Sequence, residues 1–469
     1  MRRTIRGALS DRRETERSGA ISRFARARPL LAIGLVLLLE ACTYTVDSEQ
    51  LRICRSVLPA LHPGGRVAVL RAENGIEPDT VRIEYTVEAA DGTQAEHWAV
   101  CRFPAAGLAA NKADLLGVTT PDGPLSGASV YLLKKYYLDT PEGVAGDPGS
   151  NEEAAVPEVP RPFAYALQQL LVSLPRTAIY GLLAVAYALV FGLVGRINLA
   201  FGELAAIGAA ATIAGAALVS VGGGVTTPLA GLGAGLLAAL FAGAIYGAVG
   251  GHFTIARIAT RSSQPSLIAT VGLSLALMEY LRVAQSPVTV WLPPIWSEAW
   301  PLARAEDFLV SLTPITVVTA GIGLAAALGL LWLVQATGFG RAWRAYADDA
   351  QAAALMGVDG LRLLVQTLAL AGAMAGLSGM LIVAQYGGLG FAGGFQYGLK
   401  ALIAAVIGGI GSIPGAMLGG FAVGLFETLW SAYLPIEVRD MALYVALVVF
   451  LIFRPGGLLG FRDPTPRPV

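Results

Sequence analysis

His62, His97 and His252 are the only imidazoles in the 469-residue chain, and none has a cysteine or carboxylate at ligand spacing, so no metal centre is expected. The run from Gly393 to Lys400 superficially resembles a phosphate loop but lacks the adjacent Gly-Lys-Ser/Thr order, so no nucleotide site is read there. What remains is polar chemistry stranded in apolar surroundings. Asn198 and Glu203 flank a break between two apolar runs. An acidic side chain inside a membrane costs about 2.5 to 3.5 kcal/mol, so it needs a cavity, a partner or the interface. Two readings stay open for Glu203: contact with a translocated solute, or a structural ion pair with Arg196 near the inner interface. Gly408, Gly409, Gly411, Ser412 and Pro414 interrupt another apolar run. Proline removes a helix donor and glycine tolerates unusual dihedrals, so the backbone breaks there. The break is either a re-entrant hairpin at a translocation path or a tight turn between two spans.

The elements that must position these groups are membrane spans. Hydrophobic residues make up 55% of the chain and charged residues 14%, a balance of the membrane class. The formal net charge is zero, which gives no support to a nucleic-acid partner. Apolar runs fall at 177–194, 204–221, 228–250, 266–284, 314–335, 363–384, a broken pair at 397–410 and 415–433, and 441–453. Arg196, Arg257, Arg261, Arg341, Arg344, Arg362, Arg454 and Arg462 then all fall on one side, the cytoplasm by the positive-inside rule. The expected fold is an all-α polytopic membrane protein of about eight core transmembrane helices with a broken or re-entrant segment. A small β-rich extracytoplasmic N-terminal domain precedes it. Glycine and alanine saturate the spans, as close helix packing in lipid requires.

Four regions are expected. Residues 1–46 are an arginine-rich cytoplasmic segment and a short leucine run, read as a lipidated signal, a cleaved signal or a retained anchor. Residues 47–139 form the small outer domain, where 66–71 and 81–87 alternate as strands do and Asp91-Gly92 signals a turn. Cys54 and Cys101 there are either a disulfide or two free buried thiols. Residues 140–162 are a linker rich in proline, glycine and acidic residues, and 163–469 are the transmembrane domain.

The most informative loop is 337–359. Its charge places it in the cytoplasm, and a short helix over 341–355 is expected to end at Gly357 as C-cap. Such a helix either docks on a motor or is an amphipathic connector. The loop resembles the cytoplasmic coupling segment of the permeases of branched-chain amino-acid ABC transporters. Gly340, Arg341, Arg344, Ala345, Asp348, Asp349, Ala352, Ala353 and Gly357 carry the match. The segments 178–203, 264–274, 400–420 and 454–460 resemble further blocks of the family in order, with Phe201 standing where the family commonly has histidine.

The positive-inside rule keeps the basic N-terminal segment and the C-terminus with Arg454 and Arg462 in the cytoplasm. The resemblance, which covers the chain from about 163 onward, implies an inner-membrane, multi-pass permease subunit. No cofactor is bound by this chain, and ATP is used by partner subunits. Its partners would be cytoplasmic ATP-binding subunits, a second homologous or identical permease, an extracytoplasmic solute-binding protein and membrane lipid. The cargo would be branched-chain or other hydrophobic amino acids, with urea or short amides as the alternative within the family. A stand-alone secondary transporter or channel is the alternative outside it.

Overall fold

The computed structural model describes residues 46–459, apart from 64, 89–93, 105–111, 139, 141–142, 144–146, 149–155, 223–227, 257–262, 286–289, 297–298, 306–307 and 410. The basic segment and leucine run, Arg257, Arg261, Arg462 and the Asp91-Gly92 turn lie outside the described residues.

The first elements are helix α1 (Ser48–Leu61) and an antiparallel sheet whose strands follow chain order. These are β1 (Arg66–Asn74), β2 (Thr80–Glu88), β3 (Gln94–Arg102), β4 (Gly117–Thr120) and β5 (Gly123–Pro124), followed by helix α2 (Gly127–Leu133). Asp47 starts α1 by accepting the Glu49 amide at 3.0 Å, which satisfies a donor the helix itself leaves free. Along β2, Val81, Ile83, Tyr85 and Val87 are buried while Arg82, Glu84 and Thr86 are half-buried, the period of a sheet covered on one face. Cys54, Val57 and Leu58 of α1 and Val130 of α2 complete that core.

The cysteines left open by the sequence are joined. Cys54 of α1 and Cys101 of β3 form a disulfide with Cα atoms 5.8 Å apart, spanning 47 residues. A bridge closing a loop of that length restricts the unfolded chain by about 4 kcal/mol in the chain-entropy model. Replacing both cysteines by serine should therefore lower the temperature at which limited proteolysis attacks this sheet in the full chain by about 15 °C. An unchanged temperature would contradict the stabilising role.

His62 Nε2 lies 2.9 Å from Tyr85 Oη, and its ring centroid is 4.8 Å from that of His97. Burial first, and the neighbouring His97 second, push the His62 pKa below its ordinary value, with Asp122 opposing. The folded sheet thus favours the neutral ring. The stability this contributes is fully present above the ordinary histidine pKa and is lost as pH falls through the lowered folded value. The His62 ring resonances in labelled protein should titrate with a midpoint below about 6.5; a midpoint above it would contradict the environment described.

From Arg161 onward the chain is almost entirely helical. In order come α3 (Arg161–Val194), α4 (Phe201–Ala217), α5 (Pro228–Gly250), α6 (Ser263–Gln285), the hairpin of β6 (Trp300–Ala305) and β7 (Phe308–Leu312), and α7 (Pro314–Ala336). Then follow α8 (Gly338–Asp348), α9 (Ala350–Leu355), α10 (Gly360–Tyr386), α11 (Gly393–Gly408), α12 (Ile413–Tyr433) and α13 (Arg439–Phe453). Seven of the described helices, α3 to α7, α10 and α12, are long and apolar enough to cross a membrane, rather than the eight or so expected. At 16 and 15 residues, α11 and α13 fall short of the ~20 that a comfortable crossing needs.

Helix α3 starts well before position 177. Pro162 sits in its first turn, where its missing donor costs nothing, and Ala164 packs on Ala303, Ala305 and Val310 of the hairpin. Gln168 accepts the Ser311 amide at 2.9 Å. Gln168, Gln169, Ser173, Pro175 and Arg176 hide this extension from a search for apolar runs. The end of the stretch read as linker is also tied down, with Val159 donating to the Arg304 carbonyl at 2.9 Å.

Helices α3 and α10 form the centre, each 72% buried over its apolar window, whereas α6 is 17% buried and faces outward. Gly243 and Gly247 of α5 face Gly372 and Gly376 of α10, and Gly208 of α4 faces Gly376, so that a Cβ at any of them would strike opposing backbone. Small residues serve here because lipid supplies no hydrophobic drive between helices and close backbone approach must replace it. The outward face of α5 carries Leu237, Phe241, Ile245 and Val249, as a lipid-facing surface should.

Candidate functional site

The expected single helix over 341–355 is two helices. Helix α8 starts at Thr337, whose hydroxyl accepts the Gly340 amide at 3.3 Å. It ends at Asp349, whose carboxylate accepts the Gln351 and Ala352 amides at 2.9 and 3.0 Å and so starts α9. A residue that caps a new helix leaves the old one, which is why the acidic pair marks a corner rather than a continuous helix. Met356 closes α9 and Gly357 follows at φ +91°, a left-handed position suited to glycine.

Trp343 anchors α8 to the bundle. It is buried, packs on Gly192 and donates from Nε1 to the Leu189 carbonyl of α3 at 3.2 Å. Gly340 fits directly against Val334, where any side chain would collide with backbone. The Arg344 guanidinium turns back to the Val334 and Gln335 carbonyls at the end of α7, so it caps that helix instead of projecting. Arg341, Ala345, Asp348, Asp349 and Ala352 are exposed, while Ala353 is buried. The tip of α9 presents Leu355 and Met356, 89% and 86% exposed, which sequence reasoning passed over as ordinary apolar residues of a helix end.

Asn198 and Glu203 are both buried, but they do not form one cluster. The Asn198 amide donates to Tyr187 Oη at 3.0 Å, and its side-chain oxygen accepts the Ala200 amide at 3.1 Å, which builds the turn into α4. Glu203 is fully buried in the first turn of α4 and accepts from Ser274 Oγ of α6 at 3.0 Å. No ion pair joins it to Arg196 among the described residues, so the structural pairing considered from the sequence is not formed. Its other oxygen has no hydrogen-bond partner and abuts Gly394 of α11.

The glycine break joins α11 to α12 as an antiparallel hairpin. Gly409 and Gly411 have φ of +108° and +100°, and Ser412 starts α12 by accepting the Gly415 amide at 3.1 Å, with Pro414 in the first turn. Gly408 packs against Gly415, where a Cβ would strike its backbone. The C-terminal segment closes on this break, since Leu458 and Leu459 donate to the Ile407 and Gly408 carbonyls at 2.8 and 3.0 Å. Those carbonyls belong to the last turn of α11, where helical partners run out.

A further polar site was not legible in the sequence. Where α3, α10, α11, α12 and α13 meet, a cavity of about 270 Å³ is lined by Arg176, Tyr180, Tyr386, Tyr397, Lys400 and Glu427 among others. Lys400 is buried here. Its ammonium lies 2.6 Å from Glu427 and 3.3 Å from Asp440, while Tyr180 donates to Glu427 at 2.7 Å. Among the described residues no group of three or more histidines, cysteines or acids is placed to hold a metal ion.

Comparison with known proteins places these features in one family. Residues 169–453 match the family described as branched-chain amino acid transport system / permease component. The high-affinity branched-chain amino acid transport system permease protein LivH of Escherichia coli is 36% identical over 303 residues, 64% of this chain and 96% of that protein. BraD of Pseudomonas aeruginosa, of the same description, is 30% identical over 299 residues, 63% of this chain and 95% of its own. The autoinducer 2 import system permease protein LsrC of Yersinia pestis is 30% identical over 231 residues, 47% of this chain and 62% of its own. No solved structure matches. The chain thus belongs to the branched-chain amino acid transport system permease family.

Proposed function

We propose that this chain is the transmembrane subunit of an ATP-driven importer for branched-chain or other hydrophobic amino acids. The cargo reading follows from LivH and BraD. In this reading the chain carries no ATPase and takes its drive from cytoplasmic ATP-binding subunits. A second, homologous or identical permease and an extracytoplasmic solute-binding protein complete the assembly in the inner membrane. The observation that carries the coupling role is the corner of α8 and α9, anchored through Trp343 while Leu355 and Met356 project. Gly340, Arg344 and Trp343 fix that corner, and Arg341, Asp348 and the α9 tip meet the motor. Exposed apolar side chains rimmed by charge are what a protein interface requires.

The division at 47–139, 140–162 and 163–469 is retained in this proposal, with both ends of the chain cytoplasmic. Helix α13 serves as a short final crossing, and α11 enters with α12 as the two arms of a broken hairpin whose glycine turn, Gly408 to Pro414, moves with the C-terminal segment. Asn198 and Glu203 hold the neighbouring polar break. Reconstitution of the chain with its partners in liposomes tests the reading. Leucine uptake should require both ATP and the binding protein; uptake driven by an ion gradient without ATP would replace the importer with a secondary transporter.

A further inference from the structure

We propose that the cavity between α3, α10, α11, α12 and α13 is a binding site for the zwitterionic head of an α-amino acid, so that the permease itself checks its cargo. The inference rests on the amino-acid importer reading above and assigns selectivity to a site within this chain.

The cavity opens near the sheet end of the bundle. Tyr386 lines both it and a larger cavity of about 660 Å³ between α10 and residues Glu49 and Lys112 of the sheet region, where Lys112 donates to the Pro294 carbonyl at 3.4 Å. A solute released beneath the sheet would meet this site next. Its lining carries two opposite, separable charges. Arg176 donates to Thr428 Oγ1 at 3.3 Å but has no carboxylate at ion-pair distance among the described residues. Glu427 is 1% exposed, and its Oε1 has no aligned hydrogen-bond donor although Lys400 Nζ lies 2.6 Å away. Lys400 has a second partner in Asp440 at 3.3 Å, which is itself held by Arg439 at 3.4 Å.

These contacts define a binding exchange. The solute's carboxylate takes Arg176, whose guanidinium offers paired donors. The solute's ammonium takes Glu427 in place of Lys400, and Lys400 moves onto Asp440. Each buried charge keeps a partner throughout, which avoids the penalty of stranding one. Ile179 is the aliphatic residue of the lining, so the site reads the charged head and is indifferent to side-chain length. The volume, below the usual ~300 to 1,000 Å³ of drug-sized pockets, fits a small solute.

The test uses the intact complex of this chain with its ATP-binding subunits in lipid nanodiscs, without the solute-binding protein. L-Leucine should bind at millimolar concentration, and leucinamide, without a carboxylate, and 4-methylpentanoate, without an ammonium, should each bind at least tenfold more weakly. Arg176→Gln should cost leucine tenfold or more while leaving leucinamide unaffected, a charge-specific pattern that misfolding would not produce. In transport with the binding protein present, Arg176→Gln should raise the leucine concentration needed for half-maximal uptake. Equal binding of all three probes, or unchanged leucine binding by Arg176→Gln, would overturn the site even if the wild-type complex imports leucine under ATP. Failure of the wild-type complex to import any amino acid would overturn the importer reading and this inference together.

Discussion

Replacing Leu355 and Met356 by aspartate should reduce ATP-driven uptake by at least about 30-fold, the equivalent of one interface hot spot of ~2 kcal/mol, while the bundle stays folded. Both side chains are almost fully exposed, so their loss removes little from the fold. Exposed substitutions of this kind change stability by about 0.5 kcal/mol or less. If α9 docks on the ATP-binding subunit as proposed, the effect is large, because two carboxylates would be buried at that contact in place of two apolar side chains. The expected result is a monodisperse protein with a normal melting temperature that no longer retains the ATP-binding subunit on purification. Arg344→Ala should behave differently, since it uncaps α7 and would show itself first as a lower melting temperature. Retention and uptake at wild-type levels in the aspartate variant would remove α9 from the coupling surface.

Lys400→Met should destabilise the protein by about 3 to 5 kcal/mol, because it leaves Glu427 charged and buried with only Tyr180 as donor. The companion variant Lys400→Met with Glu427→Leu should recover most of that loss. Removing both charges costs only the pair's own net contribution, which in buried settings is close to zero. Asp440 retains Arg439 in either case. Thermal denaturation in lipid distinguishes the outcomes. A single variant as stable as the wild type would mean that water reaches Glu427 freely.

The general plan was legible because each of its parts is a local property. Alternation in β2, the apolar runs, the arginine asymmetry and the loop motif each lie within one stretch of chain and need no partner to be seen. The first half of α3 escaped notice because its packing depends on a hairpin more than a hundred residues away; Gln168 looks like a surface residue until the Ser311 amide of that hairpin meets it. The corner at Asp349 was legible as an acidic pair, but its capping geometry was not. Arg341 and Arg344 look equivalent in sequence and both are exposed, yet Arg344 alone of the two turns back to cap α7.

By itself, then, the sequence determined the membrane class and the permease family, since hydropathy and local motifs are read residue by residue. The tertiary structure alone decided the charge cluster of Arg176, Lys400, Glu427, Arg439 and Asp440. These residues come from four helices. Each in isolation is an expensive charge with no reason to be there, and only helix packing brings the opposite charges within reach. That packing is set by glycine contacts that recur along nearly every span, so the sequence does not single out which seam closes on which.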